Sequence, residues 1–401
     1  MTVFRYSGRT KTGAPKKGII DAPNKKVAVE KLRTQGINAR ELQESKSILH
    51  KDISLGQKVK HQDFVIYCRQ YATLIRAGIS VVEATHILGE QTKSKPLKRA
   101  LKQVEEDIRN GTSFSDAAGK HPKVFPVLFV NMMRAGEATG SIDDTLDRLA
   151  GTIEKQYKIK KKIQSTMMYP AILSFLTVVV GMFLMVFIVP TFMEAFKDMD
   201  LEMPFITVIV VGISDWLIEF WYFVILALIV LVVGFHFFYK NNKEFHFTVN
   251  VFLLRMPVFG KLLQKDVIAR MTRTLSTLFS SSVPILQALT IAEKVAGNPV
   301  IGKIVLEARD NLEKGGTLSE PLEKSWLFPP LVTQMTAIGE KTGSLDYMLE
   351  KIAEFYEEEV DRAVDTLKSL IEPLMILVLA LVVGIIVAAI FLPMFQLYEN
   401  M

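Results

Sequence analysis

Gly136-Glu137-Ala138-Thr139-Gly140-Ser141-Ile142-Asp143 returns as Gly339-Glu340-Lys341-Thr342-Gly343-Ser344-Leu345-Asp346, an offset of 203 (339 minus 136). Upstream the offset is 204 (278 minus 74): the eleven residues from Leu74 to Ala84 lie beside those from Leu278 to Ala288. Gly111-Thr112-Ser113-Phe114-Ser115 lies beside Gly315-Gly316-Thr317-Leu318-Ser319 in the same register. One residue then drops out, and Phe125-Pro126 meets Phe328-Pro329. Downstream, Pro170 and Pro190 map onto Pro373 and Pro393. A register kept over this distance marks an internal duplication.

Each copy reads as helical. Leu146, Leu149 and Ile153 form one stripe at helical spacing, and Leu349, Ile352 and Tyr356 repeat it. Ser80 followed by Glu83 has capping-box spacing, and Pro284 suits a first helical turn. Gly140-Ser141 is expected to end one helix and cap the next, with Asp143 and Asp144 in the positive first turn.

The duplicated unit runs into a stretch long enough to cross a bilayer. Ala171 through Val189 carries no charge, and at about 1.5 Å per residue the segment between the two prolines measures roughly 30 Å. Phe220 to Tyr239 is similar, with Trp216, Trp221, Tyr222 and Tyr239 at its ends, where interfacial aromatics belong. Leu370 to Phe395 is the third. The mean hydropathy of +0.26 exceeds what a water-soluble enzyme normally needs.

Charge gives the expected direction. Lys155, Lys158, Lys160, Lys161 and Lys162 crowd the approach to the first span. Between the first two spans stand Glu194, Asp198, Asp200, Glu202, Asp215 and Glu219 against Lys197 alone, and Lys240 and Lys243 follow the second span. The positive-inside rule puts the N-terminus inside and the acidic connector outside, and three spans leave the C-terminus outside. The start lacks the apolar core of a signal peptide, which also keeps the N-terminus in the cytoplasm. The basic run has a second reading as an anionic-lipid or nucleic-acid patch, but beside a span retention is the better account. The net charge of +6 therefore does not call for nucleic acid.

The expected layout is a small ββα-type module at 1–45, a linker at 46–60 and a first cytoplasmic helical domain at 61–168. Transmembrane helix 1 follows at 169–193, an acidic extracytoplasmic connector at 194–215 and transmembrane helix 2 at 216–239. A second cytoplasmic helical domain at 240–369 and transmembrane helix 3 at 370–395 complete it. The fold class is mainly α and integral to the membrane. In the first module Phe4, Tyr6 and Ile19-Ile20 suggest strands around a turn at Gly13 to Gly18, and Asn24 is placed to cap a helix carrying Val27, Val29 and Leu32.

Little here points to catalysis. The six histidines are scattered, Cys68 is the only cysteine, and no nucleophile elbow occurs. The Gly136 to Ser141 stretch lacks the lysine and preceding strand of a phosphate loop. Two readings of the Gly-Glu-x-x-Gly motif stand side by side. In one, glycines allow a tight corner and the carboxylate meets free backbone donors. In the other, Glu83, Glu137 and Asp143 hold Ca²⁺, with Gln287, Glu340 and Asp346 as the poorer second set. The spans carry no mid-depth charge, which weakens a channel or transporter reading. Ala380, Gly384 and Ala388 form a small-residue stripe suited to close helix packing, within this chain or against another.

Together these residues resemble the type II secretion F and type IV pilus inner-membrane platform proteins. The resemblance covers nearly the whole chain, through the duplication, Gly136-Glu137-x-x-Gly140, Gly339-Glu340-x-x-Gly343, and Tyr169-Pro170 entering a span closed by Pro190. Glu372 before Pro373, where the first copy has Tyr169, departs from the pattern. The resemblance implies a non-enzymatic platform in the bacterial inner membrane that needs no cofactor, although some members bind Ca²⁺ through acidic residues of the first domain. Its partners would be a hexameric assembly ATPase, pilin or pseudopilin subunits, other inner-membrane assembly proteins and further copies of itself. A channel or transporter component is the alternative, with a membrane-bound enzyme behind it. The charge difference between Lys158–Lys162 and Glu357–Glu359 leads us to expect that the two copies pair electrostatically, within a chain or between chains.

Overall fold

The structure is a computed structural model describing residues 2–10, 15–22, 25–34, 36–44, 59–197 and 204–399. It divides into two units, Met1–Lys58 and Val59–Met401. In the first, strands β1 (Thr2–Thr10) and β2 (Pro15–Ala22), helix α1 (Lys25–Thr34) and strand β3 (Ile37–Glu44) form a sheet of order β2-β1-β3, antiparallel throughout. The third strand goes beyond the expected ββα module. Its sequence, Ile37-Asn-Ala-Arg-Glu-Leu-Gln-Glu44, is mostly polar, so it reads as the start of a linker. Tyr6, Leu32 and Ile37 make the small core, with Ala28 also buried, while Val29 is exposed. Gly13 and Asn24, and the linker through Lys58, lie outside the described residues.

The second unit begins with copy one. It comprises α2 (His61–Arg76), α3 (Val81–Gln91), α4 (Lys95–Arg109), α5 (Phe114–Gly119), α6 (Val127–Thr139) and α7 (Ile142–Phe183). A π-helical turn, Leu184–Ile188, and α8 (Val189–Lys197) carry α7 onward, and α9 (Phe205–Asn241) returns. After α10 (Lys243–Arg255), copy two repeats the series as α11 (Phe259–Ser280), α12 (Ile285–Ala296), α13 (Pro299–Glu313), α14 (Ser319–Glu323), α15 (Pro330–Thr342) and α16 (Leu345–Glu399). Ser80 caps α3 by accepting from the Glu83 N–H at 3.2 Å. Pro284 stands one residue ahead of its helix, as the N-cap of α12.

The two copies are filled differently. Phe64, Tyr67, Tyr71, Phe114, Phe125 and Phe129 form one aromatic cluster in copy one, with neighbouring ring centroids 5.3–6.4 Å apart. At the duplicated positions copy two has Ile268, Met271, Leu275, Leu318, Phe328 and Val332, all buried. Both predicted stripes, Leu146–Leu149–Ile153 and Leu349–Ile352–Tyr356, lie in the cores. Burial is non-directional, so aliphatic and aromatic side chains can support one helix arrangement.

Three helices are long and apolar enough to cross a membrane: α7 with its extension, α9 and α16. Neither α7 nor α16 breaks where the apolar stretch starts: α7 runs 42 residues and α16 runs 55, with Pro170, Pro373 and Pro393 inside them. At the far end Val189, Val210, Ile386, Ala389 and Ile390 make a separate small core. There the π-turn carbonyl of Met185 accepts from Ser214 Oγ at 2.5 Å, and the Ala389 carbonyl accepts from Thr207 Oγ1 at 2.8 Å. Such hydroxyl-to-carbonyl bonds join helices where no water competes. The expected connector at 194–215 needs correction. Pro204 starts α9 and the apolar run Phe205–Val211 extends it, so Asp215 and Glu219 stand on a helix. Beyond Ser214, no residue of α9 from 220 to 239 is buried, and Phe235, Phe238 and Tyr239 meet Phe245 and His246 of α10.

Candidate functional site: the helix corners and their arginine clamps

Each copy turns its last corner at the Gly-Glu-x-x-Gly motif. Gly140 and Gly343 hold φ of 73° and 72°, the left-handed conformation that ends α6 and α15 without a Cβ clash. Gly136 and Gly339 serve closeness instead. A Cβ on Gly136 would lie 3.1 Å from Thr145 Oγ1 and 3.2 Å from Ile142 Cα, and one on Gly339 would lie 3.0 Å from Leu345 Cα and Met348 Cβ. The last helix therefore packs directly on the backbone of the helix before it.

Glu137 and Glu340 point away from that turn, to the start of a short helix. The Ser115 N–H donates to both Glu137 carboxylate oxygens, at 3.2 and 3.3 Å. Glu340 accepts from the Leu318 N–H at 2.6 Å, the Ser319 N–H at 3.3 Å and Ser319 Oγ at 3.2 Å. These are orphan donors that a helix start exposes, and a carboxylate there also suits the local dipole. The Ser141 side chain does not cap α7, against expectation. Its hydroxyl pairs with Thr139 Oγ1 at 2.7 Å, as Ser344 pairs with Thr342 at 2.6 Å.

The three residues expected to hold Ca²⁺ are not gathered. Glu83 lies in the first turn of α3, Glu137 is occupied by the Ser115 N–H, and Asp143 lies in the first turn of α7. Among the described residues, no group of three or more His, Cys, Asp or Glu side chains is placed to hold a metal ion.

An arginine clamp, present twice, does not stand out in the sequence. Arg69 of α2 donates from Nε and Nη2 to both Glu154 oxygens at 2.7 Å, and from Nη1 to Asp147 at 2.9 Å. Arg273 of α11 donates from Nε and Nη2 to both Glu357 oxygens at 2.7 and 2.8 Å, with Nη1 3.8 Å from Glu350. The bidentate fork fixes the first helix of each copy against the last. The duplication register held the signal: Arg69 maps to Arg273, Asp147 to Glu350 and Glu154 to Glu357. The Arg69 hydrogen bonds hold the Glu154 carboxyl below its ordinary pKa. Close by, burial pushes the Cys68 thiol well up, leaving it protonated and unreactive.

The copies join through the same helices. Thr152 Oγ1 and Thr277 Oγ1 share a buried hydrogen bond of 2.9 Å. Lys155 reaches Glu357 at 3.3 Å, and Lys162 reaches Asp361 and Asp365, each at 3.2 Å. Electrostatic pairing between the copies thus occurs within one chain, but not between the two expected runs: Lys155 takes Glu357, and Lys162 takes Asp361 and Asp365. Glu359 turns instead to Lys265, at 2.7 Å.

In the spans, Gly181 touches Val382, whereas its duplicate Gly384 has nothing near the position of a Cβ. Ala380 and Gly384 are exposed and Ala388 is half-buried, so the small-residue stripe faces away from the other spans of this chain.

Residues 67–190 and 271–393 match the domain described as type II secretion system protein F, once for each copy, and residues 1–43 match that protein's N-terminal domain. The chain belongs to the type II secretion system protein F family. Full-length relatives agree with this. The type IV pilus assembly protein PilC of Thermus thermophilus is 39% identical over 100% of this chain and 99% of its own length. PilC of Myxococcus xanthus is 36% identical over 98% and 94%. The type II secretion system protein F of Xanthomonas campestris pv. campestris is 32% identical over 99% of each. Within this family the matched repeats begin and end on features described above, from the α2 and α11 clamp helices to Pro190 and Pro393.

Proposed function

We propose that this member of the protein F family is an inner-membrane platform for assembling a type IV pilus. In this reading it couples a cytoplasmic assembly ATPase to the transfer of pilin subunits from the bilayer into the filament. The observation that carries it is the pairing of a duplicated helical domain with full-length relatives named type IV pilus assembly proteins at 36–39% identity. The geometry supports a mechanical rather than a catalytic role. Two uninterrupted helices leave two clamped corners and enter the apolar layer, so a displacement of either bundle moves a span without a hinge. Unpaired apolar surface on α9 and the stripe at Ala380, Gly384 and Ala388 are where pilin helices and further copies of the platform would lie. The N-terminus sits in the cytoplasm on this reading, and the acidic start of α9 on the far side.

The test is deletion of the gene in its host, followed by counting surface filaments and by affinity capture of a tagged copy from native membranes. Loss of filaments, together with co-purification of an assembly ATPase and a pilin, supports the proposal. Intact filaments, or ion flux through the purified protein in liposomes, would overturn it. Relatives named type II secretion system protein F, at 29–32% identity, support a second reading in which the filament is a secretion pseudopilus. The identity of the captured filament subunit separates the two.

A further inference from the structure

Where the two copies meet, ahead of the first span, the protein forms a partly open cavity of about 320 Å³. Its walls come from both copies. Gln156, Lys160 and Ile163 of α7 face Asp266, Arg270 and Arg273 of α11, and His61 and Glu357 complete the rim. Three cations stand against two carboxylates. Asp266 pairs with Arg270, and Glu357 binds Arg273, which is buried. Lys160 makes no ion pair among the described residues. The balance is positive around a space that no side chain fills.

A second observation concerns a donor. Gln156 Nε2 is buried against this cavity and has no hydrogen-bond partner among the described residues. An unmet buried amide donor costs about 1–3 kcal/mol, so such groups are normally paired. The missing partner is an acceptor, and the cations around it favour an anionic one. Partial burial, and then the nearby Lys160, lower the His61 pKa, and its neutral ring can donate or accept without adding charge. Ile159, Ile163 and Val295 supply apolar wall beside these polar groups. Lys160 and Gln156 lie 10 and 14 residues before Pro170, about 15 and 21 Å along α7, and Gln164, the lining residue nearest the span, lies six before it.

We propose that this cavity binds a phosphate group, with Gln156 Nε2 and Lys160 as its direct ligands and Arg270 and Arg273 as the surrounding positive field. Two sources share that chemistry: the headgroup of an anionic phospholipid and a free phosphate compound. Either would touch both copies at once and hold α7 against α11.

The experiment uses the full chain. It is reconstituted in nanodiscs of equal parts phosphatidylglycerol and phosphatidylcholine, then released for native mass spectrometry. In parallel the detergent-solubilised chain is titrated with inorganic phosphate and its melting temperature followed. The lipid source predicts one retained phosphatidylglycerol per chain, reduced at least fivefold by Gln156→Leu or Lys160→Ala and unchanged by Lys158→Ala, which lies on the same helix outside the cavity. The free-phosphate source predicts no selective lipid retention but a rise in melting temperature that Gln156→Leu abolishes. If Gln156→Leu does not fold, Gln156→Glu serves, since it keeps a polar group but repels phosphate. Lipid retention and phosphate response that are both absent, or that are equal in all variants, overturn the proposal.

Discussion

The two copies repeat one bidentate arginine fork yet expose it differently. The Arg69 side chain keeps 39% of its surface accessible, whereas that of Arg273 keeps 8%. The cause is the way the copies pack. The α7 helix of copy one lies against α11 and α16, so Thr152 and Lys155 meet Thr277 and Glu357 and close over Arg273. Among the described residues no equivalent contact covers Arg69, and Arg76 adds a second cation to Asp147 there at 2.7 Å. Duplication thus preserved the geometry and not the environment. One clamp is a surface feature, and the other is part of the joint between the halves.

The comparison breaks most sharply at the arginines. Arg273→Ala leaves the Glu357 carboxylate half-enclosed with only Lys155, and removing one partner of a buried pair costs about 3–5 kcal/mol. Arg69→Ala, in a more solvated setting, should cost about 1 kcal/mol. Thermal unfolding of the full chain in detergent checks both. Equal losses would show that burial does not separate the clamps.

The corners come next. An Ala at Gly339 meets Leu345 Cα and Met348 Cβ at 3.0 Å, and an Ala at Gly136 meets slightly more distant atoms. Both should destabilise by about 1–3 kcal/mol, as overpacking does, with Gly339→Ala the worse. If either variant melts at or above the wild-type temperature, the corner is looser than its contacts imply.

A smaller effect follows from acid. Arg69 depresses the pKa of Glu154 in the fold, so the unfolded chain binds more protons than the native one below the ordinary glutamate range. The stability that Glu154 contributes is complete above that range and is lost as pH falls through it towards the lower folded value. Arg69→Gln should make the acid limb of a stability–pH curve shallower. Parallel acid limbs for variant and wild type would remove Glu154 from the acid response.

How much of this was legible in the sequence depends on the kind of contact. The duplication, both core stripes and the apolar helices follow from periodicity and register, which local sequence carries. The clamp sat in the same register, but Asp147 against Glu350 is not an identity, and charged residues scattered along a helix read as a solvated face. The Ca²⁺ reading of Glu83, Glu137 and Asp143 rested on residue type alone, and no local signal says that the Ser115 N–H takes up Glu137. The small-residue stripe was visible while its direction was not. Rotation of α16 about its axis is set by Val382 on Gly181 and by Ile386 and Ala389 in the far core, and these are contacts between distant segments. The third strand and the early start of α9 were hidden by the polar residues each one carries.

The smallest expected effect tests the seam between the copies. Lys162 lies 3.2 Å from both Asp361 and Asp365, but all three side chains are more than a third exposed or close to it. Exposed pairs contribute less than about 1 kcal/mol and are screened by salt. Lys162→Asp places three carboxylates together, so it should lower the melting temperature by more than Lys162→Ala, and the gap should narrow as salt rises. Combining Lys162→Asp with Asp365→Lys restores an opposite-charge pair in the reverse sense and leaves the new lysine one turn from Asp361. The double variant should therefore recover most of the loss at low salt and little at high salt, where there is less to recover. Failure of the swap to recover stability, with the single variant clearly weakened, would mean that Lys162 acts through its packed stem against α16 rather than through its charge. The seam would then be an apolar joint of Ile159, Ile163, Val360 and Val364, and the opposite charges of the two copies would be left to serve other partners.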